Sequence, residues 1–108
     1  MDLNSLTEAV IGAAYEVSNT LGAGFLEKLY ERALLNELTL RGISARAQVV
    51  YPVSYKGSLV GEYMSDLVVE DSLIVELKCV DRFAPTHLAQ CLSYLHASGL
   101  TLALLLNF

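Results

Sequence analysis

Two acidic side chains and a lysine occur at a spacing that can hold a divalent cation and act on a phosphate. Nine residues separate Asp66 from Glu76, and the apolar Leu77 separates Glu76 from Lys78. Residues two apart in a β-strand share one face, so Glu76 and Lys78 would project together from a strand that is otherwise apolar. Charges in such surroundings are costly to bury unless they are paired or bind a metal ion.

A tight turn between the two acids would bring their carboxylates together. Residues 70–72 have turn-forming composition and lie between two apolar segments, residues 59–69 and 73–80, that predict strands. An antiparallel hairpin of these two strands would place Asp66 beside Glu76. We therefore expect the two carboxylates to share one site.

Neighbouring carboxylates predict a site for Mg²⁺ or Mn²⁺. Mg²⁺ prefers oxygen ligands, and Asp66, Glu76 and the main-chain carbonyl of Leu77 would supply them. A bound cation would polarise a phosphate and lower the pKa of an attacking water molecule, and Lys78 would stabilise the developing negative charge. The spacing alone also allows a solvated Glu76–Lys78 pair on an open sheet face, because such pairs are common on strands.

The rest of the chain predicts seven elements in the order α, α, β, β, β, α, β, within one domain covering residues 1–108. The fold class is α/β (mixed α+β), with a mixed sheet flanked by helices. Helices are expected at about residues 4–19, 24–42 and 85–98, and strands at 48–55, 59–69, 73–80 and 100–106. Ser5 followed by Glu8 is a capping-box pattern for the first helix. Pro52 indicates an edge or bulge position.

Apolar residues at helical spacing predict which face of each helix is buried. These stripes are Leu3, Leu6, Val10, Ala13, Ala14, Val17 and Leu21 in the first helix, Leu26, Leu29, Tyr30, Ala33 and Leu34 in the second, and Leu88, Leu92 and Leu95 in the third. Glu27 falls at the border of the second stripe. From that position its carboxylate can reach along the edge of the core towards the sheet.

Composition limits the partners. The net charge is −5 with only seven Lys and Arg residues, which disfavours tight nucleic-acid binding because phosphate contacts usually come from a basic surface. The hydrophobic fraction is 54%, above the usual range, so we expect a homodimer in which a partner subunit covers apolar surface. Residues 83–108 lack charge, but Pro85 and Gly99 interrupt them, so no membrane span is expected.

The two cysteines, Cys79 and Cys91, lack metal-ligand spacing, and no secretory signal is visible. Free buried thiols in a reducing cytoplasm are therefore expected.

The Asp66…Glu76-Leu77-Lys78 pattern and the order of elements resemble the PD-(D/E)XK nuclease superfamily, which has a restriction-endonuclease-like core. Residues 24–30, Gly-Phe-Leu-Glu-Lys-Leu-Tyr, are similar to the Gly-x-x-Glu-x-x-Tyr motif of a small bacterial and archaeal family named GxxExxY. Segments 21–27, 90–95 and 104–108 also fit that family in order. The resemblance covers nearly the whole chain.

This resemblance implies a Mg²⁺-dependent nuclease that hydrolyses phosphodiester bonds in nucleic acid, DNA included. It implies the following roles: metal ligands Asp66, Glu76 and the Leu77 carbonyl, catalytic lysine Lys78, helix-borne acid Glu27 acting on the same site directly or through water, and Gln90 positioning substrate or water. Tyr30 and Tyr94 are further candidates. Ser65, Met64 and Ser18 stand where the superfamily or family often has Pro, Arg and His, which affects substrate contacts more than the metal site.

Other interpretations remain open. Glu27 and Gln90 can equally be solvated helix residues, and Tyr30 a core residue with its hydroxyl at the rim. The acidic charge and high apolar content favour a non-catalytic or regulatory dimeric member of the same fold that binds a protein partner. An enzyme acting on a small phosphoester is a third interpretation. A basic rim around Asp66 would favour nucleic acid, and an acidic rim the others.

Overall fold

The predicted order of elements is confirmed by the structure, a computed structural model that describes residues 1–108. The elements are α1 (Leu3–Leu21), α2 (Glu27–Leu40), β1 (Ala45–Tyr55), β2 (Ser58–Val69), β3 (Leu73–Lys78), α3 (Pro85–Ser98) and β4 (Leu102–Asn107). They form the expected mixed α+β architecture, and the bounds differ from the predicted ones by a few residues. No helix has the length and apolar character needed to cross a membrane.

The four strands form one mixed sheet in the order β1-β2-β3-β4. β1, β2 and β3 are an antiparallel meander, and β4 returns parallel to β3 after the α3 crossover. As expected, Pro52 lies on an edge strand, where a residue without an N–H is tolerated. β2 pairs with β1 along its length but with β3 only at residues 67–69, so β2 and β3 separate at Asp66.

One face of the sheet packs against α1 and α2. Its buried strand residues are Leu67, Val69, Leu73, Val75 and Leu77, which form a core cluster with Leu6, Val10, Ala13, Ala14 and Val17 of α1 and Tyr30, Leu34 and Leu38 of α2. Because strand side chains alternate, Val68, Ile74 and Glu76 point to the other face, towards α3. Glu76 is thus placed on the α3 face of β3, at the fork between β2 and β3.

The predicted buried stripe of α3 is wrong for Leu88 and Leu92, although Leu95 is half-buried. Leu88 and Leu92 are 62% and 61% exposed, whereas Cys91 is buried. The helix is rotated by about one residue relative to the prediction, so its covered side follows His87, Cys91, Tyr94 and Ser98. The leucine repeat alone could not show this, because the ring of Tyr94 packs against Tyr63 of the sheet and sets the rotation.

Three smaller predictions also fail. The first helix begins earlier than the Ser5–Glu8 pattern indicated, because Asp2 is its N-cap and accepts a hydrogen bond from the Ser5 amide at 2.8 Å. Leu26 is 76% exposed, since it precedes the first turn of α2 as an extended N-cap residue, and Leu29 is also exposed. Cys79 is a free thiol as expected but lies exposed beyond the end of β3, whereas Cys91 is free and buried.

Candidate active site

The fork between β2 and β3 brings Asp66 and Glu76 together. The Leu77 amide donates a hydrogen bond to Asp66 Oδ2 at 2.8 Å, across the point where the two strands stop pairing. Glu76 is 5% exposed, and its Oε1 atom is buried without a hydrogen-bond partner. Burial, and then the charge of Asp66, raises the pKa of Glu76 to about 9. The site therefore contains a buried carboxyl group whose ionised form is poorly stabilised by the protein alone.

Glu27 reaches the same site from the first residue of α2. Partial burial raises the pKa of Glu27, and the charge of Asp66 raises it further, while Lys78 and the main chain of Cys79 lower it. These influences show that Glu27, Asp66 and Lys78 are electrostatic neighbours. Glu27 and Asp66 also line one cavity, so the two acids lie near each other, and the role of Glu27 in the site stays a prediction.

Lys78 is the last residue of β3 and is half-buried. Its carbonyl accepts a hydrogen bond from the Phe108 amide at 2.9 Å, which ties the end of β3 to the chain after β4. None of the ion pairs within the chain involves the Lys78 ammonium group. The ammonium group is therefore free to interact with a bound anion.

Tyr30 fixes the segment that precedes Glu27, residues 22–26, through its ring and its hydroxyl group. Its ring is buried and stacks on Phe108, with ring centroids 4.9 Å apart. Its hydroxyl donates to the Gly22 carbonyl at 2.6 Å and accepts from the Phe25 amide at 3.3 Å. The tyrosine three residues after Glu27 thus fixes the loop that determines where α2 begins, and with it the position of Glu27.

Gln90 and Tyr94 lie on α3. Gln90 is exposed, and its side chain makes no hydrogen bond within the chain, so its proposed contact with substrate or water stays a prediction. Tyr94 stacks on Tyr63, and the charge of Glu76 contributes to raising the pKa of both tyrosines, after burial. Of these two α3 candidates, Tyr94 is the one that the structure connects to the acids.

The sequence interpretation missed Glu31 and Gln48. Glu31 is a buried carboxylate that receives hydrogen bonds from Gln48 Nε2 and from Lys28 Nζ, the latter at 2.7 Å. Gln48 has φ 56°, a left-handed conformation that is rare outside glycine, and it interrupts the β1–β2 pairing at the level of Asp66. Glu31 had a signal, because Glu27 and Glu31 are four apart and share a helix face. Gln48 had none.

A polar cavity of about 420 Å³ lies beside Asp66. Its lining consists of Leu26, Glu27, Lys28, Glu31, Gln48 and Asp66. Acids outnumber bases around Asp66, because Glu27, Glu31 and Glu76 face only Lys28 and Lys78. The rim around Asp66 is therefore acidic, which favours a protein partner or a small phosphoester over nucleic acid unless a bound cation offsets the negative charge.

The donor set fits a hydrated divalent cation. No three His, Cys, Asp or Glu side chains are grouped closely enough to hold one ion, but Mg²⁺ usually keeps several waters and takes only one or two protein carboxylates. Asp66 and Glu76 supply two. The Leu77 amide faces Asp66, and its carbonyl lies on the same edge of β3, because both groups of a strand residue point to one neighbour. A cation here would interact with the unpaired oxygen of Glu76.

A family of known proteins matches most of the chain. A family model described as the PD-(D/E)XK nuclease superfamily matches residues 4–108, a range that includes Glu27, Asp66, Glu76 and Lys78. No curated protein and no solved structure gave a significant match. The match covers almost the whole chain and includes every residue of the fork.

Proposed function

This chain belongs to the PD-(D/E)XK nuclease superfamily, and from that premise we propose that it hydrolyses phosphodiester bonds of nucleic acid with Mg²⁺ or Mn²⁺. Membership supports a nuclease-type function in general. The observation that carries the finer proposal is the buried, unpartnered Oε1 of Glu76 beside Asp66. A carboxylate in that position is unfavourable for a purely structural role and useful for holding a cation.

The residues of the fork have separate roles in this proposal. Asp66, Glu76 and the Leu77 carbonyl hold the cation, which supplies Lewis-acid polarisation of the phosphate when bound. Lys78 offsets the negative charge that develops on the phosphate. Glu27 has a raised pKa. It either holds a water molecule at the edge of the site or accepts a proton from that water molecule. Its setting in a Gly-x-x-Glu-x-x-Tyr segment also favours the finer GxxExxY assignment.

Gln90 is proposed as a substrate contact. Its side-chain amide is exposed on α3 and makes no hydrogen bond within the chain. It can therefore bind a phosphate oxygen or a water molecule that approaches the fork.

A cleavage assay tests the proposal. Wild type is incubated with Mn²⁺ or Mg²⁺ and branched, single-stranded or duplex DNA, and Lys78→Ala and Glu76→Ala are compared with it. We expect each variant to lose roughly 100-fold or more of the activity while keeping the wild-type circular dichroism spectrum. Lys56→Ala, at the exposed β1–β2 turn, is the matched cation control and should retain activity. Equal cleavage by Lys78→Ala would contradict the role of Lys78.

A second candidate is self-association through β4. β4 is an edge strand of five apolar residues and one asparagine, without charge or proline. The opposite edge, β1, carries Arg46, Pro52 and a register shift, which are features that discourage pairing with another chain. The unprotected edge of β4 favours a homodimer, and this arrangement would suit a member of the fold that works by binding a protein.

A further inference from the structure

A second cavity lies on the α3 side of the sheet and differs in character from the polar one. It has a volume of about 480 Å³ and is lined by Val53, Tyr63, Leu92, Ser93, Tyr94, His96 and Ala97. Ligand sites of small aromatic molecules are typically of this size, mainly apolar, with a few polar groups that fix orientation. Leu92 contributes an exposed apolar side chain to it.

Two members of a stack of three tyrosines, Tyr63 and Tyr94, line this cavity. The rings of Tyr51 and Tyr63 are stacked with centroids 5.4 Å apart, and those of Tyr63 and Tyr94 with centroids 4.0 Å apart. Glu76 lies close enough to contribute to the raised pKa of both Tyr63 and Tyr94. Tyr63 also lies three residues before Asp66 on β2, so the cavity begins about 10 Å along the strand from the acids.

The charge of the chain limits how nucleic acid can be held. Of seven Lys and Arg residues, Lys28, Arg41 and Arg46 are already paired with acids. The remaining cations are too few for the many phosphate contacts that give duplex binders their affinity. Proteins that bind unpaired nucleotides add base stacking on aromatic side chains to their phosphate contacts, so contacts with bases can supply a larger share of the affinity where cations are few.

We propose that the cavity beside Tyr63 and Tyr94 binds an unpaired nucleobase of the strand whose phosphate lies at Asp66 and Glu76. This inference rests on the proposed function and names its substrate class, which is nucleic acid with single-stranded or splayed nucleotides rather than intact duplex. Tyr94 and Leu92 supply apolar surface for the base.

Two polar groups at the rim can hydrogen-bond to the edge of that base. The Ser93 hydroxyl donates to the Ala89 carbonyl at 3.1 Å, so its oxygen remains available as an acceptor. The exposed His96 imidazole offers a donor and an acceptor. These groups can hydrogen-bond to the edge of any of the bases, so we expect weak sequence preference.

Steady-state cleavage by wild type, Leu92→Ser and Leu88→Ser tests the inference. Leu92 lines the cavity and Leu88, one turn earlier on α3, does not. Both are similarly exposed, so the same substitution should disturb the fold equally little. With single-stranded DNA we expect Leu92→Ser to raise KM roughly five-fold or more at unchanged kcat, and Leu88→Ser to match wild type. Wild type should also prefer single-stranded or branched DNA to duplex.

A second probe is an oligonucleotide in which nucleotides next to the cleavage site are abasic. Wild type should lose affinity for it by a similar factor, and Leu92→Ser should not distinguish it from the normal strand. Equal KM for wild type and Leu92→Ser, with cleavage intact, overturns this inference and leaves the proposed function standing. If Leu92→Ser instead dissociates a dimer without changing KM, the cavity is a protein interface and the inference is overturned. If wild type cleaves no nucleic acid with either cation, the proposed function fails and this inference fails with it.

Discussion

Asp66 and Glu76 are neighbours at the fork between β2 and β3, but their carboxyl groups differ in hydrogen bonding. Asp66 accepts the Leu77 amide at 2.8 Å, whereas Glu76 keeps one buried oxygen without a partner. Because burial and the Asp66 charge raise the pKa of Glu76 to about 9, Glu76 holds its proton at neutral pH in the absence of a cation. A cation bound at the proposed site would compete with this proton, and both the proton and the cation would have measurable consequences for stability.

The first prediction concerns pH and the metal-free protein. Glu76 titrates near 4.5 in the unfolded chain and at about 9 in the folded one. Between these values the folded state binds a proton that the unfolded state has released, so the free energy of unfolding falls as pH rises. We expect a loss on the order of 1 kcal/mol per pH unit inside this window. Urea denaturation of the chelator-treated protein at pH 5, 7 and 9 measures it.

The matched variant is Glu76→Gln, which keeps the size of the side chain and cannot ionise. Its stability should change much less between pH 5 and pH 9 than that of wild type. The raised pKa of Glu27 acts in the same direction and should leave a small residual slope. A slope identical to that of wild type would show that Glu76 does not titrate as described.

The second prediction concerns a cation at Asp66. Because Glu76 keeps its proton at neutral pH, the repulsion in the metal-free site is between Asp66 and Glu27, whose pKa is raised by burial and then by the charge of Asp66. Asp66→Asn removes that repulsion and should leave the metal-free protein as stable as wild type or more so. Its side-chain carbonyl can still accept from the Leu77 amide. Ordinary substitutions of this kind tend to cost about 1 kcal/mol, so the absence of a loss is informative. Melting curves in chelator give the comparison.

Adding Mg²⁺ should reverse that ranking. For a site with Kd on the order of 1 mM, about 10 mM Mg²⁺ stabilises the folded state by roughly 1.4 kcal/mol. In a domain of this size, that raises Tm by roughly 5 to 10 °C. Wild type should show this rise and Asp66→Asn little of it. Equal rises in both proteins would place the ion elsewhere and remove Asp66 as a ligand.

The proximity of Asp66 and Glu76 could be predicted from sequence because their relationship is local. One turn connects the strands that carry Asp66 and Glu76, so the hairpin register alone places them together. The partnership of Glu31 with Gln48 is different, because the two are seventeen residues apart and on different elements. Glutamine also gives no sign that its backbone will adopt a positive φ. Only the packing of α2 against β1 reveals that contact.

The third prediction concerns the backbone of Gln48, which has a positive φ and whose side chain bonds to Glu31. A Cβ in the left-handed region costs about 1–2 kcal/mol, and glycine avoids this cost. Gln48→Gly should therefore be more stable than Gln48→Ala by about 1 kcal/mol, since both lose the hydrogen bond to Glu31 and only alanine retains the strain. Urea midpoints of the two variants provide the measurement. An alanine variant as stable as the glycine variant would mean that residue 48 is not strained.

The rotation of α3 illustrates another limit of sequence patterns. Leu88, Leu92 and Leu95 form a regular apolar stripe, yet Cys91 and Tyr94 turn towards the sheet. A repeat shows which residues are apolar but not which side of the helix meets its neighbour. The exposure of Leu92 is therefore a structural finding, and it makes the apolar cavity accessible.

The last prediction concerns self-association through β4. Antiparallel pairing of two β4 edges would satisfy the outward-facing main-chain groups of both strands, and no charge on either strand opposes it. Leu105→Lys places a positive charge on this edge in each copy, so two copies would repel and also bury an ammonium group. Sedimentation at micromolar concentration should show a wild-type dimer and a Leu105→Lys monomer. Val50→Lys, on the opposite edge strand and 46% exposed, should remain dimeric. A wild type that is monomeric at every concentration would exclude the homodimer, and a dimer insensitive to Leu105→Lys would place its interface on another surface.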